Sequence, residues 1–287
     1  MDAEHRAILE RVCGAPVVGD SSLSGGCVAD VREIRLGDGR FVVAKIAGPG
    51  GSLDIEGRML GYLASRSGLP VPEVLHAQAD LLVMERIEHD GLAGEGMQRH
   101  AAELLAALHD IGPEQPGMYG LDFDTLIGPL AQKNAWSDDW ARFFADRRLR
   151  IMADDAARSG GIGSALAARV HALADRVDDL IGEASAPGLI HGDAWGGNIL
   201  AHQGRVRAFI DPAVHYADPE IELAFGTLFS TFGDAFFERY AELRPIRPGF
   251  FEVRRDLYNI YPLLVHARLF GGGYGQSVER IVRRLGF

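Results

Sequence analysis

The sequence predicts an α+β chain of two lobes, a small antiparallel β-sheet lobe carrying one helix and a larger, mostly helical lobe. Three observations lead there. Residues 17–47 alternate apolar and polar positions in the manner of half-buried strands. From residue 97 onward the apolar positions recur three and four apart, as on amphipathic helices. Between the two regimes lies Glu85–Leu92, which reads as a hinge, and we divide the chain into residues 1–88 and 89–287.

The elements follow in order. MDAEHRAILERV opens the chain as an amphipathic helix without the apolar core of a secretion signal. Strand patterns then flank Ser24-Gly25-Gly26-Cys27 and the turn Leu36-Gly37-Asp38-Gly39-Arg40. LDIEGRMLGYLASR (53–66) carries Leu53, Gly57, Leu60 and Leu63 at helical spacing. After Pro70 and Pro72, EVLHA and LLVMERI are two more short strands, giving β-β-β-α-β-β for this region. Helices are expected over MQRHAAELLAALHDI, DDWARFFADRRLRIMADDAAR and GSALAARVHALADRVDDLIGEA. A strand pair, NILAHQGRVRAFID, comes next, and helices run from Glu220 to the end with breaks at Pro245, Pro248 and Gly271–Gly273.

Composition narrows the function. The 287 residues carry a formal charge of −11, which argues against nucleic acid or an anionic membrane as partner, since both select a basic footprint. The two cysteines, Cys13 and Cys27, are too few for a disulfide framework, and a cytoplasmic protein is expected. No apolar run has the length of a membrane span. Of 29 basic residues only Lys45 and Lys133 are lysines, so a chain that otherwise uses arginine keeps two ammonium groups.

The stretch that carries chemistry is LIHGDAWGGNIL, residues 189–200. Its ends suit a buried strand, while its middle gathers His191, Asp193, Trp195 and Asn198 among glycines. Asn198 follows Asp193 by five positions, and Asp211 closes the next strand pair, eighteen after Asp193. His-x-Asp-x-x-x-x-Asn, then strand-turn-strand-Asp, has the logic of a phosphoryl-transfer loop. A carboxylate at Asp193 suits the proton of an acceptor hydroxyl. An amide oxygen at Asn198 and a carboxylate at Asp211 are the hard ligands that Mg²⁺ prefers. Lys45, late in RFVVAKI, then reads as a phosphate contact with Glu56 on the next helix as its partner. Gly25-Gly26 would let backbone N–H groups approach phosphates, although a plain hairpin turn explains it equally.

These residues resemble the fructosamine/ketosamine 3-kinases, a branch of the aminoglycoside-phosphotransferase-like, protein-kinase-like fold. HGDAWGGN is similar to the family's HGD-Leu-Trp-Ser-Gly-Asn signature. Ile127-Gly128-Pro129 with KNAWSDDW and RRL, IDPAVHYADPEIELA, and FGGGYG agree as well, so that the likeness runs from about Ser24 to Leu285. It implies ATP and Mg²⁺ as cofactors, Asp193 as catalytic base, Asn198 and Asp211 as metal ligands, and Lys45 paired with Glu56 on the ATP phosphates. Glu85 and Ile87 would lie against adenine. The reaction implied is transfer of the γ-phosphate to O3 of a ketosamine, free or on a glycated protein, whose 3-phosphate then decomposes and frees the amine.

Trp195 offers a flat wall for the acceptor and its amine, and Tyr274 in FGGGYG is a second pocket candidate. Ala194, Gly196-Gly197 and Thr125-Leu126 depart from the family pattern, which leaves the sugar less defined than the reaction. Two other readings stay open: a kinase of an aminoglycoside- or choline-like acceptor, and a nucleotide-binding module without turnover. Glu222 is expected to brace the catalytic loop and Asp218 to cap the helix after it. His109, His171 and His266 read as structural, and Arg147–Arg150 as a solvated helix face. Cys27, beside the proposed phosphate loop, would be open to an intermolecular disulfide that disturbs ATP binding.

Overall fold

The computed structural model describes residues 1–23, 29–91 and 94–287. Helix α1 (Ala3–Cys13) starts at Asp2, whose side chain accepts the His5 N–H, and stops at Gly14 with φ 67°. Five strands follow: β1 (Val17–Ser22), β2 (Asp30–Leu36), β3 (Phe41–Ile46), β4 (Val74–Gln78) and β5 (Leu81–Glu85). They form one antiparallel sheet in the order β1-β2-β3-β5-β4, and helix α2 (Leu53–Arg66) is inserted between β3 and β4. The expected β-β-β-α-β-β order is thus present.

Alternation along the strands decides what each face meets. Val42, Ala44, Leu81 and Val83 bury against Leu9 and Cys13 of α1. Leu82 and Met84, one position out of phase, bury against Leu53 and Leu60 of α2. Lys45, out of phase with Ala44, therefore projects toward α2. That helix lies close to the sheet because Gly57 has no side chain, and a Cβ there would stand 2.4 Å from that of Ala77. Met59 and Leu63, also on α2, join the large core of the remaining chain.

That core gathers α3 (Gly94–His109), α4 (Trp140–Phe144), α5 (Ile151–Arg158), α6 (Ser164–Ala174), α7 (Val177–Ile181), α8 (Glu220–Gly226), α9 (Asp234–Leu243), α10 (Arg255–Phe270) and α11 (Tyr274–Arg284). A π-helical turn, Ala145–Arg150, joins α4 to α5 and turns the Arg148 side chain inward. Arg148 is fully buried, donates to the Lys133 carbonyl and Asn134 Oδ1 (both 2.7 Å), and lies over the Phe143 ring. This corrects the reading of Arg147–Arg150 as a solvated face: the helical period shifts by a residue within the π turn, and one arginine enters the core. The expected single helix from Gly163 to Ala184 is two, α6 and α7, with Asp175 and Arg176 between them.

Three short antiparallel pairs complete the chain. Strands β6 (Thr125–Ile127) and β7 (Leu130–Gln132) form a hairpin whose turn holds Gly128 at φ 55°. Strand β8 (Gly188–Ile190) pairs with β11 (His215–Ala217), and β9 (Ile199–His202) with β10 (Arg205–Phe209). No helix among the described residues is long and apolar enough to cross a membrane.

Candidate active site

Strand pairing brings the two acidic segments together. His191–Asn198 connects β8 to β9, and Ile210–Val214 connects β10 to β11, so the segments run side by side between two antiparallel pairs. Ala213 N–H donates to the His191 carbonyl (2.8 Å) and Ile210 N–H to that of Asn198 (3.0 Å). The approach at Gly192 requires glycine, because φ is +87° and a Cβ would stand 2.2 Å from the Ala213 carbonyl oxygen. Asp211 itself lies in the left-handed region at φ 55°, a conformation that surroundings must hold for a non-glycine residue.

Within the first segment Asn198 Nδ2 donates to both the carbonyl and the Oδ2 of Asp193, at 3.0 and 2.7 Å. This use of the amide hydrogens leaves Oδ1 for another ligand. Burial raises the Asp193 carboxyl, the neighbouring Asp211 charge raises it further, and Asn198 opposes, with the result pushed up to about 8. Lys45 Nζ donates to Glu56 Oε1 (2.7 Å) and contacts Asp211 Oδ1. Burial works against this ammonium, but Asp211 and Glu56 outweigh it and the Lys45 pKa is raised. Burial, opposed by Lys45 and assisted by the nearby Asp211 charge, pushes Glu56 up to about 7.

A buried bracket holds the segment from behind. Glu222 on α8 accepts Gly192 N–H at 2.6 Å and His191 N–H at 3.1 Å. His109 Nε2 meets the same carboxylate at 2.9 Å, and Tyr240 Oη meets His109 Nδ1 at 2.7 Å. Burial alone would raise Glu222; His109, His191 and the Gly192 N–H together hold it below the usual carboxylate range. The bracing expected of Glu222 is seen here, with His109 as its orienting partner. Asp218 accepts the Glu220 N–H (3.1 Å) at the start of α8, and also pairs with Arg247.

Trp195 is fixed over the backbone of Gly197, where a Cβ would stand 2.4 Å from the indole. Tyr274 begins α11. The two are bridged by Phe229, which the sequence reading missed, and by His266, which it read as structural. Phe229 lies 5.7 Å from Trp195 and 6.4 Å from Tyr274, and His266 lies 5.0 Å from both Phe229 and Tyr274, centroid to centroid. The signal available was GTLFSTFGD, an aromatic residue in a polar turn. Glu85 ends β5 and its carboxylate accepts the Glu73 N–H (3.3 Å), while Ile87 is half-buried in the following connection. Gly25, Gly26 and Cys27 lie outside the described residues. Lys133 pairs with Asp124 at the surface (2.7 Å).

A lysine-glutamate pair on a sheet and its helix, facing an Asp/Asn loop and a second Asp, defines a phosphotransferase of protein-kinase-like fold. An aminoglycoside phosphotransferase whose structure was solved as a gentamicin complex shares this fold, with a TM-score of 0.66 at 14% identity over 99% of this chain and 94% of that one. The chain belongs to the fructosamine kinase family, whose model matches residues 1–286. It is 33% identical to the chloroplastic protein-ribulosamine 3-kinase of Oryza sativa subsp. indica, over 98% of this chain and 82% of the rice protein. A crystal structure from Thermobifida fusca, assigned as a fructosamine-3-kinase, superposes with a TM-score of 0.87 at 28% identity, over 97% and 96% of the two chains. The protein is therefore a kinase, and kinases of this family use ATP.

Proposed function

We propose that this protein phosphorylates O3 of a ketosamine with ATP and Mg²⁺, beginning the removal of a sugar from an amine. The observation that carries the reading is the meeting of Asp193, Asn198, Asp211 and Lys45 beside Trp195, in a chain of this family. Asp193 orients the acceptor hydroxyl and receives its proton as the O3–P bond forms and the bond from the γ-phosphorus to the bridging oxygen of ADP breaks. Lys45, held by Glu56, contacts the ATP phosphates. Asn198 Oδ1 and Asp211 supply two hard oxygen donors, which fits Mg²⁺, an ion commonly held by few side chains together with substrate phosphates. When bound, Mg²⁺ neutralises developing phosphate charge. Trp195 and Tyr274 line the acceptor side.

In the same reading residues 1–88 and 89–287 are the nucleotide and acceptor lobes. Glu85 and Ile87 lie against adenine. The rice relative is named for a protein-bound ribulosamine, which makes glycated protein one acceptor to test.

The test is ATP turnover with Mg²⁺ against ribulosyl-lysine, fructosyl-lysine and an aminoglycoside, with phosphorus NMR of the product. Ketosamine-dependent turnover to a 3-phosphate is expected, and Asp193→Asn should lower it by about 10²–10⁴ while nucleotide still binds. Turnover with the aminoglycoside alone would discard the ketosamine.

A further inference from the structure

The turn after α8 holds two consecutive residues that are not glycine in the left-handed region, Phe229 (φ 57°, ψ 22°) and Ser230 (φ 55°). Side chains with a Cβ avoid this conformation, and a ring-bearing residue adopts it only where its surroundings impose it. Here both ends of the turn are tied. Asn259 Nδ2 donates to Thr227 Oγ1 (3.1 Å), and Gly196 N–H, from the catalytic loop itself, donates to Thr231 Oγ1 (3.0 Å).

The consequence is an unusual position for a phenyl ring. Phe229 leaves the core and remains 42% exposed, although its ring stands among those of Trp195, Phe225, His266 and Tyr274. Hydrophobic burial alone would have turned it inward. His266 adds a polar element. Its Nδ1 is engaged by the Pro262 carbonyl (2.8 Å), burial lowers its pKa, and the neutral ring therefore keeps an acceptor lone pair on Nε2.

We infer that Phe229 is a specificity-determining residue of the acceptor site: with Trp195 and Tyr274 it makes an aromatic box for the secondary ammonium of the acceptor, and His266 Nε2 accepts an ammonium N–H. The inference rests on the ketosamine reading above and adds what recognises the amine half of that substrate. Aromatic faces attract alkylammonium groups through the ring quadrupole, and more strongly where water is partly excluded. The geometry of the substrate agrees. Only the C1–C2–C3 chain separates the amine nitrogen from O3, so the amine must be received close to Asp193, and Trp195 is two positions along the same loop. A free ketose presents the same hydroxyls without the cation and forgoes the box.

The experiment compares ribulosyl-lysine with D-ribulose as acceptors in the full chain and in Phe229→Leu, which keeps apolar bulk and removes the ring. The leucine variant should raise KM for ribulosyl-lysine about five- to tenfold and lower the ketosamine-over-ketose preference by a similar factor. Phe229→Tyr, which restores the ring, should recover it. A leucine variant that keeps the wild-type preference would overturn the box. If the wild-type protein turns over no ketosamine, the function proposed above falls, and the box is then read separately through tryptophan fluorescence with choline as the probe. Quenching that weakens in Phe229→Leu supports the box; no quenching in the wild type refutes it.

Discussion

The ammonium of Lys45 on β3 touches the carboxylate of Asp211, 166 residues further along the chain, and so ties the sheet to the segment between β10 and β11. The pair is guarded from water on the lysine side, whose side chain is 9% exposed. In the function proposed above, Lys45 would leave Asp211 for the ATP phosphates and Asp211 would be freed for the metal. Lys45→Met should therefore cost about 10²–10³ in kcat/KM for ATP, measured by steady-state kinetics. Loss below tenfold would remove Lys45 from the phosphates.

Glu222 concentrates three donors on one buried carboxylate: His191 N–H, Gly192 N–H and His109 Nε2. Glu222→Gln retains the shape but puts an amide NH₂ where a donor already points. The expected destabilisation is about 1–3 kcal/mol, read by thermal or denaturant unfolding. We expect kcat to fall as well, with KM for ATP little changed, because the bracket positions Gly192 and Asp193 and leaves Lys45 alone.

Gly197 makes room for the Trp195 indole. Gly197→Ala places a methyl group where the ring now lies, so the ring must move. KM for the acceptor should rise by about tenfold, as for a misplaced positioning group, while KM for ATP stays close to the wild-type value. An equal rise in both constants would show that the loop backbone, not the indole, had shifted.

His215 is buried beside Phe143, and burial holds its imidazole well below its usual pKa. The unfolded chain therefore binds a proton that the folded chain refuses, and stability falls as pH drops below about 6.5. His215→Phe removes this proton while Gln132 still donates to the Ala213 carbonyl that His215 had shared. Relative to that variant, the wild type should lose about 1.4 kcal/mol per pH unit below 6.5, measured by urea unfolding across pH. A difference that stays constant with pH would show His215 to be protonated in the fold.

Much of this molecule was legible before any coordinate. Alternation in β1–β3, the short apolar run of β5, the helical spacing of α2 and the Asp193–Asn198–Asp211 spacing depend on neighbours in the chain, and they lead to the lobe order, the phosphotransfer loop and the resemblance to a kinase family. Lys45 and Glu56 could be paired because a lysine late in a strand, followed by a glutamate on the next helix, matches the kinase pattern. Less legible were Arg148 and the split between α6 and α7. A π turn and a two-residue break change the helical phase without changing composition.

By itself, then, the sequence determined the type of chemistry, since chemistry needs particular side chains at particular spacings. The tertiary structure decided what those side chains feel. The pairings β8–β11 and β9–β10 put Asp193 and Asp211 near enough to shift the first, and Glu222 became a bracket only once His109 on α3 reached it. It also gathered Trp195, Phe229, His266 and Tyr274 from three parts of the chain into one aromatic cluster. Such groupings depend on packing between segments distant in sequence, and no local period records that distance.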